Sequence, residues 1–309
     1  MVLLVITGAT GVGKTGLTLR LAEHFGCPVV NADSRQIYRE IPIGTAAPTA
    51  EEQARVPHYF VGTKSVREDF SAGKYEVSCL ELLKNLQTKS KSTPFAILTG
   101  GSMLYIDAVC NGLDDIPTVR QDIRETVRKN YAEKGLEWLQ AEVQCLDPKY
   151  WDFVDRQNPQ RLMHCLEVTL SAGEPYSNFR QQKPTKRDFE IVKVALERPR
   201  EELYDRINRR VDIMLAAGLE AEARAVYPLR HLNSLQTVGY RELFDYFDGK
   251  TTRDEAIRLI KQNSRHYAKR QMTWFRADKT IHWLNADLNY ETQLDTITAW
   301  LHADGMPEK

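Results

Sequence analysis

The sequence predicts an α/β fold in which a parallel sheet core carries a helical insertion domain. Three observations predict it. Short runs rich in β-branched residues alternate with helical stretches, a glycine loop joins the first such run to the first helix, and no strand is legible between Pro117 and Gly173.

Val2 to Thr7 is an apolar run bounded by Gly8, the form of a strand covered on both faces. Leu17, Leu19, Leu21, Ala22 and Phe25 predict a helix that ends at Gly26. Pro28 to Asn31 is a second strand, stopping at Asp33. Phe95 to Thr99 is a third, followed by Gly100, Gly101 and a helix starting near Ser102. Ile191 to Leu196 and Thr280 to Leu284 are a fourth and a fifth. In the middle, Ile123, Val127, Leu136, Leu139 and Val143 have helical spacing, as do Leu162, Met163, Leu166 and Leu170. The expected organisation is therefore a first core part over 1–115, the helical insertion over 116–187, and a second core part with basic C-terminal helices over 188–309. The polar segment holding Arg180, Lys183, Lys186 and Arg187 is the expected return linker. Internal repeats and low-complexity tracts are absent from the sequence.

The 309 residues suffice for one large domain or two smaller ones. Forty-two basic and 42 acidic side chains cancel, so a nucleic-acid partner requires a local basic face. The five cysteines are widely spaced without a CxxC pair, which argues against a disulfide framework or zinc ribbon and fits a reducing cytoplasm. The N-terminal run MVLLVITGATG lacks a basic leader and breaks at a glycine loop, so it reads as a buried strand rather than a signal peptide. No stretch approaches a membrane span, and no membrane association is expected.

GATGVGKT, comprising Gly8, Ala9, Thr10, Gly11, Val12, Gly13, Lys14 and Thr15, matches G-x-x-x-x-G-K-[ST] between a predicted strand and a predicted helix. The sheet core is thus expected to be P-loop NTPase-like. Glycines let the backbone wrap an anion with its N–H groups inward, and the helix adds its positive end. Lys14 supplies a charge and the Thr15 hydroxyl an oxygen ligand for Mg²⁺. The pattern specifies a phosphate binder and leaves the reaction open. The run FAILTGG ends without the carboxylate that an ATPase would use to hold its metal. Asp33, by contrast, follows a strand whose carboxyl end should face the phosphate loop. It could hold Mg²⁺ as in a kinase, accept a proton from a nucleophile, or merely cap a turn.

Around Asp33 the run DSRQIY resembles the D-S-x-Q-x-Y signature of tRNA dimethylallyltransferases, and GATGVGKT is similar to that family's phosphate loop. The resemblance continues in order through IGTAAP, VPHY, LTGGSMLY, NPQRLMHCLEV, RPREELYDRINRRVDIMLAAGLEAE, QTVGYREL and AKRQMTWFR. Departures are Ala9 for a usual proline, Ser102 for threonine, His164 for arginine, and a slightly atypical segment after Pro117.

The resemblance implies transfer of a dimethylallyl group from its diphosphate to N6 of the adenosine 3′ of the anticodon. The exocyclic amine is a poor nucleophile, so stabilising the departing diphosphate becomes the main task. The loop amides, Lys14, Thr15 with Mg²⁺ and Arg210 would do this, Asp33 would be the general base, and Thr10 would sit at the reacting centre. The same resemblance implies tRNA contacts at Asp33, Ser34, Arg35, Gln36, Ser102, Arg124, Gln160, Arg161, Leu162, Met163, His164, Gly239, Tyr240, Arg241, Lys269, Arg270 and Arg276. The partners implied are the tRNA anticodon stem-loop and dimethylallyl diphosphate, with the chain acting as a monomer in the cytoplasm.

From Ala256 to Arg276 the chain has six Arg or Lys and no acid. Arg258, Lys261 and Arg265 recur on one helix face, which suits an RNA backbone or plain solvent. Trp274 is expected in the core. Gln160 and Arg161, without the resemblance, would read as a polar helix face. Three alternatives remain open: a small-metabolite kinase using ATP, an isopentenyltransferase acting on free adenine nucleotides, and a non-enzymatic RNA-binding module.

Overall fold

In the computed structural model, which describes residues 1–89, 95–180 and 185–303, the chain divides into two compact units. One comprises 1–110 with 187–309, the other 111–186. Among the described residues no helix is long and apolar enough to cross a membrane.

The larger unit is built on a parallel sheet of β1 (Val2–Gly8), β2 (Val29–Asn31), β3 (His58–Tyr59), β4 (Phe95–Thr99), β5 (Glu190–Glu197) and β6 (Ile281–Asn285), as an α/β fold requires. The spatial order is β3-β2-β4-β1-β5-β6. Every residue of β1 is buried, consistent with its uninterrupted apolar run. Helices α1 (Lys14–Phe25), α2 (Pro42–Thr45), α3 (Ala50–Arg55), α4 (Ala72–Lys89) and α5 (Met103–Asn111) belong to the first half. Leu17, Leu19 and Leu21 of α1 join Leu4, Ile6, Val194 and Leu196 in the sheet core. The second half of this unit adds α10 (Arg200–Ala216), α11 (Leu219–Val226), α12 (Tyr240–Phe247), α13 (Arg253–Ala277) and α14 (Tyr290–Ala303). Val211, Leu219, Ala223, Leu243 and Ile260 from these helices form another cluster with Ile37 and Ile41.

The smaller unit holds α6 (Gln121–Leu146), α7 (Pro148–Trp151), α8 (Pro159–Ala172) and α9 (Tyr176–Phe179). Val127, Leu139 and Val143 of α6 meet Leu162, Met163 and Leu166 of α8, as helical spacing predicts, whereas Leu170 of the expected stripe is 42% exposed and Val168 is buried instead. The buried Asp147 carboxylate accepts from the Tyr150 N–H at 2.9 Å, the Ser177 N–H at 2.7 Å and the Ser177 hydroxyl at 2.7 Å, which joins α7 to α9.

Two further expectations fail here. Trp274 is 47% exposed, because Ala268, Gln271 and Phe275 take the inward face of α13 and Trp274 falls one position outside it. Arg187 is no linker residue. Its guanidinium donates to the carbonyls of Val109 and Ala108 and pairs with Glu76 at 2.7 Å, anchoring the chain where it re-enters the larger unit. Lys183 lies outside the described residues.

Candidate active site

Strand register assembles the site. Thr99 of β4 pairs with Ile6 of β1 and with Asn31 of β2, so three neighbouring strands end at one level. The phosphate loop leaves β1 there, Asp33 follows β2, and Gly100-Gly101 follows β4. These are the carboxyl ends of parallel strands, where such sheets bind ligands.

The loop is held open by its own chemistry. Gly13, at φ 114°, takes a left-handed turn into α1 that a side chain would resist. Lys14 Nζ donates to the Gly8 and Ala9 carbonyls at 3.0 Å each. Burial pulls its pKa from 10.5 down to about 8, Arg210 adds to the fall, and Asp33 opposes it. Arg206 Nε donates to Gly11 O at 2.9 Å and Arg198 Nε to Val12 O at 2.9 Å, fastening the loop from outside. Arg210 reaches Thr10 Oγ1 at 3.3 Å, and burial lowers its own pKa against the pull of Asp33.

Asp33 serves two purposes at once. Oδ1 accepts the Arg35 N–H at 2.9 Å and the Gln36 N–H at 3.3 Å, the turn cap that its residue type suggests. The carboxylate also lines a cavity of about 530 Å³ together with Thr10, Gly11, Gly13, Lys14, Thr15 and Arg210. A second cavity, of about 410 Å³, shares Thr10, Asp33, Thr45, Arg210 and Tyr267 with the first. The anion cradle and the carboxylate therefore stand where two cavities meet. Ser102, on the neighbouring turn, accepts from Ser34 N at 2.8 Å and bonds Ser34 Oγ at 3.0 Å. Gln36 Nε2 donates to the carbonyls of Thr45 and Ala46 at 3.1 and 3.0 Å.

The residues expected to meet RNA separate into groups. Ser34, Arg35, Gly239, Arg241 and Arg270 line the second cavity. Tyr240 does not belong with them: it is fully buried and its hydroxyl donates to Glu222 Oε1 at 2.5 Å. Arg124, Gln160, Arg161 and His164 lie on the smaller unit, where Arg124 and Arg128 flank Glu167 at 3.7 and 3.8 Å. Burial raises the pKa of Glu167 against these two cations, and it lowers that of His164 with help from Arg124. Leu162 and Met163 of the same run are core residues at 0 and 8% exposure, since the inward stripe of α8 passes through them.

The basic stripe of α13 is largely spent within the protein. Arg258 pairs with Glu255 at 2.6 Å, Lys261 with Asp212 at 2.6 Å, and Arg265 donates to Asn208 at 2.6 Å. Arg276 lies 3.9 Å from Glu197. Lys269 and Arg270 are exposed and make no ion pair among the described residues. Sequence reasoning missed Arg206, Tyr267 and Gln271, all of which line the first cavity. Arg206 and Arg210 at i, i+4 share one helix face, a signal present in the sequence; the two α13 residues gave none.

The IPP transferase family model matches residues 36–278. The chain belongs to the IPP transferase family. Among relatives of this family, tRNA dimethylallyltransferase 2 of Porphyromonas gingivalis is 55% identical over 296 residues, covering 96% of this chain and 98% of its own. The tRNA dimethylallyltransferase 1 of Phocaeicola vulgatus is 53% identical over 289 residues, covering 94% and 95%. The crystal structure of the tRNA isopentenylpyrophosphate transferase of Bacillus halodurans aligns with a TM-score of 0.70 at 34% identity, over 98% of this chain and 96% of that one.

Proposed function

We propose that this IPP transferase moves a dimethylallyl group from dimethylallyl diphosphate to N6 of the adenosine 3′ of a tRNA anticodon. One observation carries the assignment: the phosphate loop and Asp33 meet at the junction of two cavities, so donor and acceptor can approach from different sides. The relatives bearing the tRNA dimethylallyltransferase name support it.

The diphosphate would lie in the loop, against its amides, Lys14 and Arg210, with Thr10 at the junction. A Lys14 whose charge burial disfavours gains much from an arriving anion, which stabilises its cationic form and raises its pKa. The adenine would enter from the second cavity, where Arg241 and Arg270 suit the flanking phosphates. An anticodon-loop base is already partly unstacked, which lowers the cost of insertion. As the C1–O bond breaks, its electron pair leaves on the diphosphate. The N6 lone pair forms the new bond to C1, and Asp33 takes the proton that N6 sheds.

Magnesium suits the donor set. The Thr15 hydroxyl lines the first cavity and makes no hydrogen bond to another described residue. Among the described residues no group of three His, Cys, Asp or Glu could cage a metal. An ion there would rest mainly on diphosphate oxygens and water, as Mg²⁺ prefers. When bound, it would neutralise charge on the leaving group. In this reading the chain acts on tRNA as a monomer in the cytoplasm.

The test is incubation with labelled dimethylallyl diphosphate, Mg²⁺ and unmodified tRNA, followed by nucleoside analysis. N6-dimethylallyladenosine is expected. ATP turnover without RNA, with the allylic donor untouched, would replace this reading by a kinase.

A further inference from the structure

We infer that Gln271 is a positioning residue that couples the phosphate loop to the amine-binding wall and so keeps prenyl transfer from leaking to water. This rests on the transfer reading above. Gln271 is 1% exposed and lies on α13, far in sequence from both partners. Its Oε1 accepts the Thr10 N–H at 2.9 Å, and its Nε2 donates to Gly101 O at 2.8 Å. One amide thus spans the loop after β1 and the loop after β4, the two walls that flank the cavity. A neutral amide is suited to this because one end accepts and the other donates.

The contact is close on both sides. A Cβ on Gly101 would stand 2.3 Å from Gln271 Nε2 and 4.0 Å from Asp33 Oδ2, so the glycine is needed for the amide to reach its carbonyl. Gly101 in turn places its backbone beside the carboxylate. Thr10, held from behind through its N–H, presents its hydroxyl to Arg210. Tyr267, one turn earlier on α13, donates to the same Gly101 oxygen at 3.2 Å, but it has no bond to the phosphate loop. Among the described residues, Gln271 is the side chain that bonds both Thr10 of the phosphate loop and Gly101 after β4.

Transfer needs N6 in line with C1 as the C1–O bond breaks. With the two walls free to drift, water can take the place of N6. The C1–O bond then breaks in the same way, the water oxygen bonds to C1, a proton is released, and the products are the five-carbon alcohol and diphosphate. A displacement near one ångström suffices to cost about a hundredfold in a step of this kind.

The experiment uses the full chain with labelled dimethylallyl diphosphate, Mg²⁺ and an anticodon stem-loop, and measures alcohol and modified adenosine together. Gln271→Met keeps the buried volume and removes both bonds. Its transfer kcat should fall roughly 10- to 100-fold with little change in KM for either substrate, and the ratio of alcohol to transferred product should rise. Ile297→Val, a core truncation on α14, controls for lost stability. A wild-type ratio in Gln271→Met, or losses that merely track unfolding as in Ile297→Val, overturns the coupling role. A wild-type chain that transfers nothing overturns the transfer reading, and this inference with it.

Discussion

At the scale of single residues, the proposed base Asp33 uses its two oxygens unequally. Oδ1 holds the turn through Arg35 and Gln36, whereas Oδ2 makes no hydrogen bond to a described residue. Asp33→Asn separates the two tasks, because its carbonyl can still cap the turn while basicity is lost. The single-turnover transfer rate should fall by about 10²-fold or more, with donor and tRNA binding intact. A rate within threefold of wild type would remove Asp33 from the reaction. Lys14 makes a second prediction through pH. Its pKa is lowered from 10.5 to about 8, so the free site keeps a cation below about pH 8 and loses it above. Donor KM should be flat below that point and rise up to about tenfold per pH unit beyond it. The sign for stability is opposite. A buried lysine with a depressed pKa costs the ligand-free fold below about pH 8, and that cost is relieved as pH climbs from 8 towards 10.5. Lys14→Met should abolish both trends, which donor titrations and thermal melts at matched pH would read directly.

At the scale of elements, legibility followed periodicity. The strand at Val2, the helix ending at Gly26 and the two apolar stripes of the smaller unit were visible because each repeats a pattern over several residues. Strand β3 has two residues and α2 four, too short for any period to register. Asp33 was legible as a strand-end acid beside a known loop motif. Gln271 and Glu222 were not, since their backbone partners lie more than 150 residues away and amide or carboxylate side chains carry no local mark. Glu222 shows what such contacts do for an element. Its carboxylate accepts from Ile43 N and Gly44 N at 2.8 Å each and from Tyr240, capping a helix whose own N-cap, Ile41, offers no oxygen. At the C-terminal end of α2 lie Thr45 and Ala46, whose carbonyls hold Gln36. Glu222→Ala should destabilise the fold by about 2–3 kcal/mol, since two amides and a phenol lose an ionised acceptor. Tyr240→Phe, which removes one donor, should cost about 1 kcal/mol. Equal denaturation midpoints for wild type and Glu222→Ala would show that α2 does not depend on this cap.

At the scale of the whole molecule, charge is the property that the sequence represented worst. The total is zero, and the one conspicuous basic run, on α13, finds partners outside itself: Asp212 on α10 pairs with Lys261, the neutral amide of Asn208 accepts from Arg265, and Glu255, one turn earlier on α13, pairs with Arg258. A linear search for acids within 256–276 could not see them. What stays available is a smaller set, Arg241 and Arg270 at the second cavity with the exposed Lys269 nearby on α13. A side chain already holding an intramolecular partner gains little by turning to a phosphate, while an unpaired one releases a counterion from the RNA when it binds. Binding of an anticodon stem-loop should therefore respond unequally to two sets of substitutions. Arg241→Ala and Arg270→Ala should each weaken affinity and lower the slope of log K against log salt by roughly 0.7 to 0.9. Arg258→Ala and Lys261→Ala should leave that slope unchanged, because their charges are already committed to Glu255 and Asp212. Equal slopes for the two sets would mean that the ion pairs of α13 open on RNA binding, and that the stripe rather than the cavity rim receives the backbone.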